Sequence, residues 1–138
     1  GEAATRTNSL DQMTEHVRRR LSRVIIDPML ANGELPALVL DPMLERRLTD
    51  GIVETSFGGQ VQVAPSLMQG FIEGLSRQLD AIAGDGHSPV LVCSGRLRLP
   101  LRRIMKKFLA RLVLLSYDEI AETNARLRTL GLVTVEEQ

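Results

Sequence analysis

Short runs of apolar residues recur along this chain, and segments long enough to form helices separate them. The runs ALVL (37–40), PVLVC (89–93) and LVLLS (112–116) are apolar at successive positions, which is typical of strands covered on both faces. Strands that alternate with helices join through right-handed crossovers into parallel sheets. The sequence therefore predicts an α/β fold with a small, mostly parallel sheet and flanking helices, completed by a last apolar segment, LGLVTV (130–135).

The segment before the first strand is predicted to hold a linker and one helix. Residues 1–9, GEAATRTNS, are small and polar and have no apolar period, so they predict a disordered linker or a non-native remnant. Ser9 followed by Gln12 fits a capping box that starts a helix, and Asp27-Pro28 is expected to end or kink it. The amphipathic face of this helix comprises Met13, Val17, Leu21, Val24 and Ile25.

A boundary near residue 34 follows from the turn Asn32-Gly33, so that residues 35–138 form the α/β unit. Within this unit, Asp41-Pro42 starts a helix, and a hairpin is expected to turn at Gly58-Gly59. The next helix covers about residues 65–83 and contains Gly70 and Gly74, whose spacing allows another backbone to approach closely.

The composition excludes several classes of protein. Seventeen basic residues balance seventeen acidic ones, so no overall field attracts nucleic acid or anionic lipid. A lone cysteine, Cys93, favours a reducing compartment, and no apolar run approaches the ~20 residues that cross a bilayer. The chain as it stands is expected to be soluble and cytoplasmic.

Cys93 is the one candidate nucleophile. It ends a predicted strand and precedes Arg96 and Arg98, a positively charged setting that activates thiolates. The cysteine-phosphatase loop needs five residues between its cysteine and its arginine, and Arg98 comes one position too early. A buried structural cysteine is the simpler interpretation, while a small α/β enzyme using Cys93 near Arg96 and Arg98 remains an alternative.

Signatures of metal and cofactor sites are absent from the sequence. His16 and His87 are isolated, and no GxGxxG, GxxxxGK[ST] or GxSxG motif occurs. We therefore predict no metal and no cofactor.

A basic cluster surrounds a helix predicted from Leu99 to Ala110, with an apolar side formed by Leu101, Ile104, Met105 and Phe108. It is a solvated face, a docking surface for an acidic partner or, less favoured because interleaved aromatic residues are lacking, a nucleic-acid site. Arg96 precedes this helix. The candidate partner surface comprises Arg98, Arg102, Arg103, Lys106, Lys107 and Arg111.

The joint SYDE (116–119) carries two acids but no sign of acid-base catalysis. Ser116 and Glu119 fit a capping box, and Asp118 suits the first turn of a helix. Tyr117 is expected to be an anchor between sheet and helix, and this strand-to-helix connection therefore indicates structure rather than chemistry.

Four collinear motifs resemble the cytoplasmic C-terminal region of the type III secretion export-gate family, which has flagellar (FlhA) and virulence (InvA, LcrD) branches. The motifs are MTEHVRRRLSR (13–23), LVLDPMLER (38–46), PVLVCSGRLRLPLRR (89–103) and LVLLSYDEI (112–120). The resemblance implies that residues 10–34 end a helical third subdomain and that residues 35–138 form an α/β fourth subdomain.

That family resemblance also implies a function. The chain would be a cytoplasmic fragment of a bacterial inner-membrane protein, attached to the membrane only through a part that precedes it. It would contribute to a homo-oligomeric ring that receives export substrates and chaperones, together with other proteins of the export apparatus. The family's main docking cleft lies in earlier subdomains, and membership implies neither catalysis nor nucleic-acid binding.

Overall fold

A four-stranded parallel sheet organises residues 2–135, which are the part of the chain that the computed structural model describes. The helices are α1 (Glu2–Arg20), α2 (Ser22–Ile26), α3 (Pro42–Asp50), α4 (Pro65–Gly84), α5 (Gly95–Phe108) and α6 (Tyr117–Ala121). The strands are β1 (Glu34–Leu40), β2 (Ile52–Thr55), β3 (Gly58–Val61), β4 (Val90–Cys93), β5 (Val113–Ser116) and β6 (Arg126–Val133). A 3₁₀ turn at Asp27–Met29 follows α2.

The strand order in the sheet is β5-β4-β1-β6, and all three pairings are parallel. Strands β2 and β3 form a separate antiparallel hairpin. The predicted α/β class and the parallel sheet are confirmed, and LGLVTV contributes to the edge strand β6.

Successive strand residues point into two separate cores, one on each face of the sheet. In β4, Leu91 and Cys93 join a core with α3, α4 and α5, whereas Val90 and Val92 join a core with Ile26 of α2. Both faces are therefore covered, which explains why the predicted strands are apolar without alternation.

Two glycines in α4 allow residues 134–135 to pack closely against this helix. A methyl group on Gly74 would lie 3.2 Å from the carbonyl oxygen of Thr134, and one on Gly70 would lie 3.0 Å from Val135 Cγ1. The predicted close approach of a backbone to this helix is confirmed at Gly74.

The N-terminal helix differs from its prediction. Its helical residues begin at Glu2, so the predicted start at Ser9 is wrong, and residues 2–9 are helical where a disordered linker was expected. Thr7 Oγ1 donates to the backbone oxygens of Ala3 and Ser56, a contact with the β2–β3 turn that no local pattern encodes. The boundary near residue 34 between two subdomains stays a prediction.

Two further predicted boundaries differ from those in the structure. The hairpin turns at Ser56-Phe57, and both glycines at 58 and 59 belong to β3. Helix α5 begins at Gly95 rather than Leu99, and it tolerates Pro100 in its interior.

Candidate functional site

Cys93 lies at the end of β4 with no exposed surface. Burial raises the pKa of its thiol far above the usual value, and the nearby Glu45 carboxylate adds to the rise. A buried, protonated thiol is not a nucleophile. The structure therefore removes the basis for an enzyme that uses Cys93 near Arg96 and Arg98.

Helix α5 carries the basic cluster and starts directly after Ser94. The Ser94 carbonyl accepts from the N–H groups of Leu97 and Arg98, which closes the first turn. The Ser94 hydroxyl makes no capping bond, and its oxygen is enclosed without a partner among the described residues. The Ser94 N–H instead donates to Glu45 Oε2 at 3.0 Å.

Two of the six residues predicted to form a partner surface face α1 instead of solvent. Arg98 is 4% exposed, so its place on that surface is wrong. The Nη2 atom of Arg103 lies 2.7 Å from Asp11 Oδ1, and its Nη1 donates to the carbonyl of Gly59 at 3.1 Å. Sequence periodicity placed both arginines on the polar side of α5 but did not show that a polar face of α1 covers that side.

The other four residues remain on or near the outer surface. Lys106, Lys107 and Arg111 are exposed, and Arg102 is partly buried with its Nη1 atom enclosed and unpartnered among the described residues. Phe108 was predicted on the apolar, inward side, yet its side chain is 59% exposed. The last turn of α5 therefore presents cations beside an exposed aromatic ring.

A partly buried chain of alternating charges joins α1, α5 and α6. Arg98 Nη2 lies 2.8 Å from Glu15 Oε1, and Arg18 Nε lies 2.9 Å from Glu119 Oε2. The two pairs approach each other because Arg98 Nε is 4.0 Å from Glu119 Oε1. The basic run that contains Arg18 indicated pairing with acids on neighbouring elements, but sequence spacing did not identify the partners, since they are far apart along the chain.

Glu119 also caps the start of α6. Its Oε1 accepts from the Ser116 N–H at 2.8 Å, while Ser116 Oγ accepts from the Glu119 N–H at 3.1 Å. The predicted capping box is confirmed. Tyr117, which was predicted to anchor the helix on the sheet, is 40% exposed, so its ring is not part of the core.

Asp11 forms the outer link between α1 and α5. Burial alone would raise the pKa of its carboxyl, but hydrogen bonds from Arg103 and from the Gly59 N–H, together with the Arg103 charge, lower it below its usual value. The same pair raises the pKa of Arg103, chiefly through the hydrogen bond to Asp11. Both groups are thereby held in their charged forms.

An open cleft of about 620 Å³ lies between α1, β2 and the start of α5. Its walls carry charges of both signs, including Arg19, Arg96, Glu54 and Asp118. Asp118 lies so close to Gly95 that a methyl group there would be 2.6 Å from Asp118 Oδ2. The chain's own carboxylate thus occupies the positive end of the α5 dipole.

Two absences hold for the described part of the chain. No group of three or more His, Cys, Asp or Glu residues in it is placed to hold a metal ion. None of its helices combines the length and the apolar character that crossing a membrane requires.

Comparison with known proteins identifies relatives across nearly the whole chain. The profile of the FHIPEP family matches residues 1–125. Flagellar biosynthesis protein FlhA of Caulobacter vibrioides is 34% identical over 134 residues, covering 96% of this chain and 19% of that protein. Low calcium response locus protein D of Yersinia pestis is 28% identical over 113 residues, covering 80% of this chain and 16% of that protein. The chain therefore spans about a fifth or less of the length of these relatives.

Solved structures share the fold. The C-terminal domain of InvA superposes with a TM-score of 0.74 at 22% identity, covering 88% of this chain and 37% of that one. Two neighbours were solved as assemblies. The first is nonameric SctV-C of EPEC, which superposes with a TM-score of 0.65 at 21% identity, covering 89% of this chain and 36% of that chain. The CdsV and CdsO complex of Chlamydia pneumoniae, with a TM-score of 0.66 at 22% identity, covers 89% and 36%.

Proposed function

We propose that this chain, which belongs to the FHIPEP family, is the C-terminal part of the cytoplasmic domain of a type III protein export gate. Its relatives include flagellar and virulence proteins of type III secretion. The observation that carries the proposal is the family match over residues 1–125, on a fold shared with the C-terminal domain of InvA. The role proposed is structural and non-enzymatic.

Exposed apolar residues support the proposed division into two subdomains. Leu10, Met13, Val17 and Val24 on α1 and α2 are between 48% and 74% exposed, which is unusual for a regular stripe on one helical face. The matched solved chains are longer, since this chain covers 37% of the InvA domain. We propose that residues 10–34 complete a helical subdomain whose remainder precedes this chain, and that residues 35–138 form the next subdomain.

A ring is the proposed assembly. The EPEC SctV-C structure is described as nonameric, and CdsV was solved with CdsO. By analogy, the longer protein would form a homo-oligomeric ring on the cytoplasmic side of a bacterial inner membrane. The ring would receive export substrates and chaperones and contact other components of the apparatus, while membrane attachment would belong to a part outside this chain.

The outer end of α5 is the proposed contact surface for such a component. Without Arg98 and Arg103, this surface comprises Arg102, Lys106, Lys107 and Arg111, together with the exposed ring of Phe108. None of Lys106, Lys107 and Arg111 forms an ion pair within residues 2–135. Unpaired cations around an exposed aromatic ring suit an acidic partner with an apolar anchor.

Charge reversal tests this surface. In bacteria whose gate carries this chain, Lys106→Glu with Lys107→Glu should reduce secretion while the variant protein accumulates and melts normally. The matched control is Arg46→Glu with Arg47→Glu, which reverses an equally exposed basic pair on α3. Equal secretion by both variants would remove the end of α5 from the mechanism.

The gate assignment itself is tested by deletion in the same bacteria. Removal of residues 35–138 from the gate protein should stop type III export, and the intact protein should restore it. Export that continues at the normal rate without these residues would overturn the proposed function.

A further inference from the structure

Helix α1 turns its polar face toward the α/β unit and its apolar face away from it. The partly buried residues of α1 whose side chains the structure describes are all polar: Thr7, Asn8, Asp11, Glu15, Arg18 and Arg19. Leu10, Met13 and Val17, by contrast, are 61%, 62% and 48% exposed. A helix held by apolar burial shows the opposite arrangement.

Hydrogen bonds and ion pairs therefore provide the attachment of α1 that the structure shows. Asp11 binds Arg103 and accepts from the Gly59 N–H at 3.2 Å, and Glu15 binds Arg98. Arg18 binds Glu119 near the C-terminal end of α1. These three contacts occupy successive turns of one helical face, so they fix the angle of α1 along much of its length.

The helix that follows is attached in a different way. Ile26 of α2 is fully buried in the core that contains Val90, Val92 and Leu115. Burial of a large apolar side chain stabilises the packing without depending on charge. The α2 segment is thus anchored to the sheet independently of the ion pairs that hold α1.

An irregularity separates the two attachments. Leu21 is a non-helical residue between α1 and α2, and its N–H donates to the carbonyls of both Val17 and Arg18 at 3.1 Å. The Ser22 hydroxyl donates to the Arg19 carbonyl at 2.7 Å, a bond that competes with the helical ladder and bends helices. The joint therefore lies between an ion-paired arm and an apolar anchor.

We infer that α1 is a rigid arm that two ion pairs, Asp11–Arg103 and Glu15–Arg98, hold against the α/β unit as a charge latch. The arm pivots at Leu21–Ser22 when this latch opens. The pivot changes the angle between the apolar face of α1 and the sheet without exposing either core. Any body bound to that apolar face would turn with the arm. This pivot is a property of the chain itself, whether or not the chain serves in an export gate.

The two parts of the latch differ in sensitivity to salt. The side chains of Asp11 and Arg103 are 19% and 31% exposed, whereas those of Glu15 and Arg98 are 13% and 5% exposed. Salt screens exposed pairs much more than buried ones. Salt should loosen the Asp11 end, and displacement of the outer part of the arm should require charge reversal at both acids, while the Arg18–Glu119 pair holds the part next to the joint.

Distance measurements by electron spin resonance test the arm directly. Spin labels on His16→Cys in α1 and Asp80→Cys in α4 occupy exposed positions, and the native Cys93 is buried away from the reagent. The latch variant carries Asp11→Arg with Glu15→Lys. The matched control carries Asp50→Arg with Glu73→Lys, which makes the same change in net charge at two exposed acids.

The expected result is one narrow distance in the wild type and the control, and a second, separate distance in the latch variant with undiminished helical circular dichroism. Adding Arg103→Asp to Asp11→Arg should move the population back toward the first distance. An unchanged distance in the latch variant would overturn the inference, because contacts other than these two ion pairs would then hold α1. Loss of helical signal would also overturn it, because α1 would be unfolding and not pivoting.

Discussion

Arg98 Nη2 lies 2.8 Å from Glu15 Oε1, and this contact joins the helix after β4 to the first helix of the chain. The side chain of Arg98 is 5% exposed and that of Glu15 is 13% exposed, so both charges are largely shielded from water. The arginine that a helical pattern assigns to a surface is therefore a buried link between two parts of the molecule.

Arg98→Met should destabilise the fold by about 3–5 kcal/mol, because Glu15 would lose its cation while largely buried and Glu119 would keep only Arg18. Urea unfolding followed by circular dichroism measures the loss. Arg96→Met is the matched control, since Arg96 is exposed on the same helix. Equal midpoints for the two variants would show that the buried charges do not depend on Arg98.

Two serines that begin helices should respond differently to alanine. Ser116→Ala removes an observed capping bond and should cost about 1 kcal/mol. Ser94→Ala removes a hydroxyl without a partner among residues 2–135 and should change stability by less than about 0.5 kcal/mol. Unfolding free energies of both variants give the comparison, and a larger loss at Ser94 would contradict the assigned caps.

The thiol of Cys93 should not react with iodoacetamide near neutral pH while the protein is folded. Burial raises its pKa, and the side chain has no exposed surface. Mass spectrometry should find full modification only after denaturation. Rapid alkylation of the native protein would restore the hypothesis of a reactive cysteine.

Asp11→Asn should lower the melting temperature at about pH 7 by ~2–4 °C, with a smaller difference from the wild type at about pH 3. The pKa of Asp11 is lower in the folded state. Its ionised form therefore stabilises the fold above the ordinary aspartate pKa of about 3.9, and this contribution is lost as the pH falls through the lowered value.

Calorimetric scans at both pH values measure this dependence on pH. Asp80→Asn serves as the control, since Asp80 is exposed on α4. A difference at Asp11 that stays constant or grows in acid would contradict the ion pair with Arg103.

Local sequence patterns predicted the sheet and the cap because both depend on short stretches. Strand β4 is apolar at every position since each face has its own core, and Ser116 meets Glu119 within one helical turn. The same patterns failed where distant parts meet. The stripe containing Met13 indicated a covered face, but this stripe is exposed among residues 2–135, and the face that packs here is polar.

Single residues near the helix ends show the same limit. The helix predicted from Leu99 extends back to Gly95 and keeps Pro100 buried in its interior. Tyr117 was expected to be an anchor between sheet and helix, but no element covers it fully and 40% of it is exposed. Tertiary packing, which spacing does not encode, decides both cases.

A transplant into a relative tests the central claim, that this chain works as part of an export gate. Residues 1–138 would replace the matching C-terminal segment of Caulobacter vibrioides FlhA, which is 34% identical over 134 residues, in cells that lack FlhA. The control is FlhA truncated before that segment, at the same level in the membrane. Our account predicts flagellin in the medium above the level of the truncated control. A stable chimera in the membrane that exports no more flagellin than the truncated protein would contradict it.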